Sequence, residues 1–158
     1  MASMVNITID GKNIQAEAGK NLMEVAKANG VFIPSLCYYK HIEPPLGTCR
    51  VCTCRINGKF GPACTEKITD GLTVEVNTEE LKNMRKALVE MMFAEGNHIC
   101  PACEKSGNCD LQHMGYELEV SSARFPHLFK DRVIDYKPGR MVKYNQDRPH
   151  HHPARLSS

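Results

Sequence analysis

The residues in this chain with evident chemistry are its cysteines, and seven of the eight fall into two spaced groups. Cys37, Cys49, Cys52 and Cys64 read as C-x11-C-x2-C-x11-C. Two cysteines separated by two residues let one tight loop offer both thiolates to the same centre, and the flanking pair completes a set of four. Four thiolates hold a [2Fe–2S] cluster, two on each iron. Two ferric ions, two sulfides and four thiolates sum to a charge of about −2, and one added electron makes it about −3. Such an anion needs backbone N–H groups turned toward it, and Gly47 lets the chain come close without a Cβ in the way. Pro34, Pro44 and Pro45 stiffen the approach, and Arg50 either screens the cluster or is simply an exposed arginine.

The second group is His98, Cys100, Cys103 and Cys109, read as H-x-C-x2-C-x5-C with Gly107 in the loop. Three thiolates suit a [4Fe–4S] cluster that takes its fourth ligand elsewhere. His98 is the nearest candidate and His113 the second. A neutral imidazole in place of a thiolate makes the cluster one unit less negative, which raises its potential as in Rieske centres. Cys54 lies outside both groups and reads as a small buried hydrophobe beside the first, with a spare ligand as the poorer alternative.

Zinc is the competing reading. Cys49 and Cys52 with Cys100 and Cys103 would make a four-cysteine knuckle and a non-redox interaction module. The interval between the pairs far exceeds ribbon spacing, and Cys37, Cys64 and Cys109 are left without a purpose. Disulfides fit less well still. The start Met1-Ala2-Ser3-Met4-Val5 has neither a basic region nor an apolar one, so no secretory signal is expected, and Met1 to Ser3 reads as an extension ahead of Met4. Thiols in a reducing cytoplasm, the expected compartment, are metal ligands before they are disulfides.

These loops need a frame. Val5, Ile7 and Ile9 alternate with polar residues, Asp10-Gly11 is a hairpin turn, and Ile14 and Ala16 lie on the returning strand. A helix starts at Asn21, with Leu22, Val25 and Ala26 on one face and Gly30 at its end. Residues Arg50 to Ile56 read as a strand turned by Asn57-Gly58, and Leu72, Val74 and Val76 as another. Asn77 with Glu80 makes a capping box for a long helix. Its core-facing stripe is Leu81, Met84, Leu88, Met91 and Met92, and Gly96 stops it. After Tyr116 the periodicity fades into an irregular linker and a tail around His150-His151-His152 that is expected to be disordered.

The fold class is therefore α+β, with residues 4–78 as a small sheet domain, 79–120 as a helical cluster domain and 121–158 as linker and tail. At 158 residues neither half buries a generous core, which suits metal-stapled units. A net charge of +2 spread along the chain and 6% aromatic residues give no nucleic-acid platform. No apolar stretch reaches the roughly 20 residues of a membrane span. No Rossmann or P-loop glycine fingerprint and no nucleophile–base pair is present, so two cluster sites without a catalytic constellation read as an electron wire.

Three segments carry a resemblance. Ile33-Pro34-Ser35-Leu36-Cys37, Gly47-Thr48-Cys49-Arg50-Val51-Cys52 and Ala63-Cys64-Thr65 resemble the N-terminal [2Fe–2S] domain of complex I's large iron–sulfur subunit. They are closer still to the small diaphorase subunit of cytoplasmic NAD-reducing [NiFe] hydrogenases. The segment from Gly96 to Gln112 is similar to the histidine-plus-three-cysteine region of those diaphorase subunits. In complex I and iron-only hydrogenases three residues separate that histidine from the first cysteine, whereas here only Ile99 does.

The resemblance implies a ferredoxin-like β-grasp for residues 4–78 and an electron-transfer role. The implied partners are a flavin-containing NAD(H)-binding diaphorase subunit and the hydrogenase small and large subunits. The equivalent piece of complex I, or of an NAD-linked formate dehydrogenase, is the alternative. Family members continue into a two-cluster ferredoxin module, whereas here Asp147-Arg148 leads into Pro149 and no cysteine follows Cys109. The expectation is a truncation or frameshift near Arg148.

Overall fold

The computed structural model describes residues 3–96 and 98–126. The expected tail, including His150 to His152, lies outside the described residues, as do the last residues of the linker. The described residues form two compact units, one ending at Leu88 and the other starting at Val89.

In the first unit, strands β1 (Met4–Ile9) and β2 (Lys12–Glu17) pair antiparallel, with Ile9 opposite Lys12 across the turn. Asp10 and Gly11 both take positive φ, 48° and 79°, the hand that matches the strands' own twist. The Asp10 carboxylate also accepts from the Val76 N–H at 2.7 Å and from the Asn77 amide at 2.7 Å, so the turn pins a distant segment. Helix α1 (Leu22–Ala28) follows, and the Asn21 side chain caps it by accepting from the Met23 N–H. Leu22, Val25 and Ala26 are buried on its inner face. Full burial of a leucine such as Leu22 stabilises by about 1.5–3 kcal/mol.

Strands β3 (Thr53–Ile56), β4 (Lys59–Pro62) and β5 (Thr73–Glu75) complete a five-stranded sheet in the order β2-β1-β5-β3-β4. Only β1 and β5 run parallel, so the sheet is mixed and the class is α+β. Ile7, Ile9, Leu22, Ile68, Val74 and Val76 form its core together with Cys52, Cys54 and Cys64. The strand expected over Arg50 to Ile56 begins only at Thr53. Arg50 takes φ +60°, and its carbonyl accepts from both the N–H and the hydroxyl of Thr53, closing a turn where extended chain was expected.

Helix α2 (Glu79–Glu95) departs from its expected capping and from its expected stripe. Thr78, not Asn77, caps it, with its hydroxyl accepting from the Leu81 N–H, because Asn77 is held by Asp10. Glu80 pairs with Arg55 instead of closing a capping box. The fully buried positions are Leu81, Arg85, Val89 and Glu90. Met84, Leu88 and Met92 are only half-buried and Met91 is 44% exposed. The reason is Arg85, whose guanidinium donates to the carbonyls of Thr53 and Val76 and so sets the rotation of the helix.

The second unit contains a short helix that the fading periodicity did not reveal, α3 (Asp110–Glu117). Leu111, Met114 and Leu118 are buried. Gly115 sits so close to Phe93 that a Cβ there would lie 3.1 Å from the ring. Glu90, 1% exposed, accepts from the Arg124 guanidinium at 2.7 Å. No described helix is long and apolar enough to cross a membrane.

Candidate metal centres

The four cysteines of the first group come from the loop after α1, the turn before β3 and the short 3-10 turn Ala63–Thr65. Their thiols associate two by two, Cys37 with Cys49 and Cys52 with Cys64. Cys52 and Cys64 are fully buried, whereas Cys37 and Cys49 are partly exposed. Backbone contacts fix the pairs: the Ala63 N–H donates to the Cys52 carbonyl, and the Asn21 amide donates to the Cys64 carbonyl at 2.6 Å. Gly47, at φ +61°, is packed so tightly that a Cβ would stand 2.9 Å from the Thr65 methyl. Arg50 is exposed.

Backbone amides face the sulfurs. Burial works against ionisation of Cys37, but the N–H groups of Cys49 and Thr48 and the Cys49 thiol outweigh it and hold that thiol below its ordinary value. Burial raises Cys49, although the N–H groups of Leu36 and Val51 also point at its sulfur. Cys64 is pushed up to about 12, first by burial and then by its bond to Cys52 and the neighbouring thiolates. Without metal, then, the four thiols resist ionising together; a positive iron centre removes that conflict, because ligating sulfur is thiolate. Paired cysteines with N–H donors fit a [2Fe–2S] cluster.

Cys54 belongs to no pair. It is fully buried, its sulfur is 3.5 Å from Arg85 Nη2, and burial pushes its thiol up to about 11. It is the small buried residue beside the first group that its spacing suggested.

In the second group Cys100 opens the 3-10 turn Cys100–Ala102 and Cys109 is the N-cap residue of α3. Cys103 is exposed, while Cys100 and Cys109 are partly buried. Stacked turns link them: the Cys103 N–H donates to the Cys100 carbonyl, and the Ser106 N–H to the Cys103 carbonyl. Gln112 holds the loop by accepting from the Gly107 N–H at 2.8 Å. His98 packs edge-on against Phe93, with ring centroids 5.3 Å apart. His113 stands on α3, 4.0 Å from Glu117. Among the described residues no three His, Cys, Asp or Glu side chains converge as one metal ion demands. A polynuclear cluster asks for something different, with its ligands shared among separate irons.

Sequence reasoning missed Asn21 as a tether of Cys64, Arg85 as a buried cation and Gln112 as the loop holder. Only Arg85 left a signal, a charge four residues from apolar Leu81 and Val89 on one helix face.

Two domain families match the chain. Residues 2–79 match the 2Fe-2S iron-sulfur cluster binding domain, and residues 85–124 match the NADH-ubiquinone oxidoreductase-G iron-sulfur binding region. The gamma subunit of the NAD-reducing hydrogenase HoxS of Cupriavidus necator is 56% identical over 132 residues, covering 84% of this chain and 56% of that protein. A second G-type subunit of the NADH-quinone oxidoreductase of Rhizobium meliloti is 36% identical over 148 residues, covering 90% of this chain and 17% of that protein. A solved crystal structure of NAD+-reducing [NiFe]-hydrogenase in the H2-reduced state superposes with a TM-score of 0.75 at 36% identity. It covers 82% of this chain and 55% of that one. The chain thus spans little more than half the length of its hydrogenase relatives and a small part of its complex I relative.

Sheet, cysteine loop and matched domains define an α+β iron–sulfur protein whose cofactors are one [2Fe–2S] and one [4Fe–4S] cluster. The chain belongs to the family of the iron–sulfur diaphorase subunits of NAD-reducing hydrogenases, related to the N-terminal region of complex I's large iron–sulfur subunit.

Proposed function

We propose that this chain is the electron-transfer subunit of an NAD-linked oxidoreductase, passing electrons between a flavin/NAD(H) subunit and a hydrogenase module. The observation that carries it is the association of four thiols in two pairs with backbone N–H groups directed at their sulfurs. In this reading Cys37 and Cys49 hold one iron of the [2Fe–2S] cluster, and Cys52 and Cys64 hold the other. His98, Cys100, Cys103 and Cys109 hold the [4Fe–4S] cluster. Bound clusters supply reversible one-electron transfer. The chain's own residues orient the sulfurs, offer N–H dipoles to negative charge and keep water from Cys52 and Cys64. The partly exposed Cys37 and Cys49 lie on the side where an electron would enter or leave.

Residues 4–78 are a ferredoxin-like β-grasp domain, 79–120 the four-iron domain, and 121–158 linker and tail. The sheet order with parallel β1 and β5 supports the β-grasp. The partners are a flavin-containing NAD(H)-binding subunit and the hydrogenase small and large subunits, and the compartment is the cytoplasm. Nucleotide and hydrogen chemistry belong to those partners. The Rhizobium meliloti relative favours a second reading, the equivalent piece of a NADH dehydrogenase.

The test is iron, sulfide and zinc content of anaerobically purified protein, with EPR of the reduced sample. About six irons with two paramagnetic species are expected from the two-iron and four-iron stoichiometries. Two irons and one signal would remove the second site, and zinc without iron would replace electron transfer by an interaction module.

A further inference from the structure

Arg85 is 4% exposed, and among the described residues no carboxylate neutralises it. Its Nε and Nη2 donate to the Thr53 carbonyl at 3.2 and 2.7 Å, its Nη1 to the Val76 carbonyl at 2.9 Å, and its Nη2 to the Cys54 sulfur at 3.5 Å. The Asp10 carboxylate, which also acts on the Cys54 thiol, is taken up by the N–H groups of Val76 and Asn77 and by the Asn77 amide rather than by Arg85. A buried cation whose partners are all neutral is rare, because desolvation disfavours it unless an anion lies near.

The missing anion has a place in the same unit. Thr53 and Cys54 follow Cys52 directly, and the Cys54 sulfur lies 3.5 Å from the Cys52 carbonyl. Arg85 therefore sits behind the strand that leaves the buried half of the first cysteine group. We propose that Arg85 is the built-in countercharge of the [2Fe–2S] site, a positioning residue that favours its reduced form without ligating iron. The inference rests on the cluster assignment above. A fixed positive charge stabilises whichever state is more negative, and one electron gained takes the four-thiolate site from about −2 to about −3. Burial keeps the charge from being screened by solvent and salt.

The experiment is an EPR-monitored redox titration of the full chain, loaded anaerobically, as wild type and as Arg85→Lys, Arg85→Gln and Arg85→Met. Iron and sulfide analysis of the wild type comes first, and its failure would overturn the cluster assignment rather than the role of Arg85. At the wild-type midpoint the Gln and Met variants are expected to be about tenfold less reduced, equivalent to 59 mV for a one-electron couple. The Lys variant keeps the charge without the guanidinium fork and is expected to stay near wild type. If neither neutral variant loads its cluster but Lys does, at the wild-type midpoint, charge rather than fork geometry is what the site requires and the proposal stands. A loaded neutral variant at the wild-type midpoint would overturn it. So would a Lys variant that shifts as the neutral ones do, or that fails to load along with them.

Discussion

Asn21 joins helix α1 to the cysteine loop through two bonds of one side chain. Its Oδ1 accepts from the Met23 N–H at 2.9 Å and its Nδ2 donates to the Cys64 carbonyl at 2.6 Å. The bridge between Asn21 and Lys67, with the Leu22 N–H donating to the Glu66 carbonyl, runs alongside. A capping residue that serves only its helix would be replaceable by serine or aspartate; this one also positions a thiol.

Asn21→Ala is therefore expected to destabilise by about 2 kcal/mol, from a lost cap and an unpaired buried carbonyl. Asn21→Asp keeps the cap and loses only the bond to Cys64, so it should fall between. Urea unfolding of the loaded protein, followed by cluster absorbance, measures both. Equal stability of Asp and wild type would mean that the bond to Cys64 contributes nothing.

Gly47→Ala combines a left-handed backbone, costing about 1–2 kcal/mol for a residue with a Cβ, with a contact against the Thr65 methyl. The expected result is faster loss of the cluster and a lower urea midpoint. Adding Thr65→Ser removes the methyl and should restore the contact part but not the backbone part. A double variant no better than Gly47→Ala would place the whole effect in the backbone.

Metal counting separates ligands from bystanders. Cys54→Ala is expected to retain about two irons at the first site, while alanine at Cys37, Cys49, Cys52 or Cys64 removes them. Alanine at Cys100, Cys103 or Cys109 should remove the other four. Loss of both irons from Cys54→Ala would make Cys54 part of the site.

The metal-free chain should lose stability in alkali. The folded thiols of Cys64 and Cys54 are raised from 9.0 to about 12 and about 11. Between those values the folded state binds more protons than the unfolded, so their contribution is present below pH 9.0 and lost as pH rises through about 11 and 12. Urea midpoints of the reduced, metal-free protein, taken upward from about pH 8, should fall. Iron loading should become more favourable over the same rise, because each ligand sheds a proton. A flat midpoint would show that neither thiol is perturbed.

What the sequence determined by itself is what depends on near neighbours along the chain. Asp10-Gly11 dictates a turn because two adjacent residues must take positive φ, and Cys49 and Cys52 share a loop because two residues separate them. Val5, Ile7 and Ile9 announce their buried face by alternation, and the cysteine spacings announce the chemistry. Helix α3 escaped because eight residues around Gly115 give too short a pattern, and the α2 stripe was misread because methionine fits a half-buried position as well as a core one. Tertiary structure alone decided that Cys37 joins Cys49, that Asn21 reaches Cys64, and that Arg85 rather than Met84 or Met91 faces inward. Each of these depends on groups far apart in the chain meeting only after the sheet closes. Arg85 is buried because the Thr53 and Val76 carbonyls stand where its fork can reach both, a requirement that no local pattern encodes.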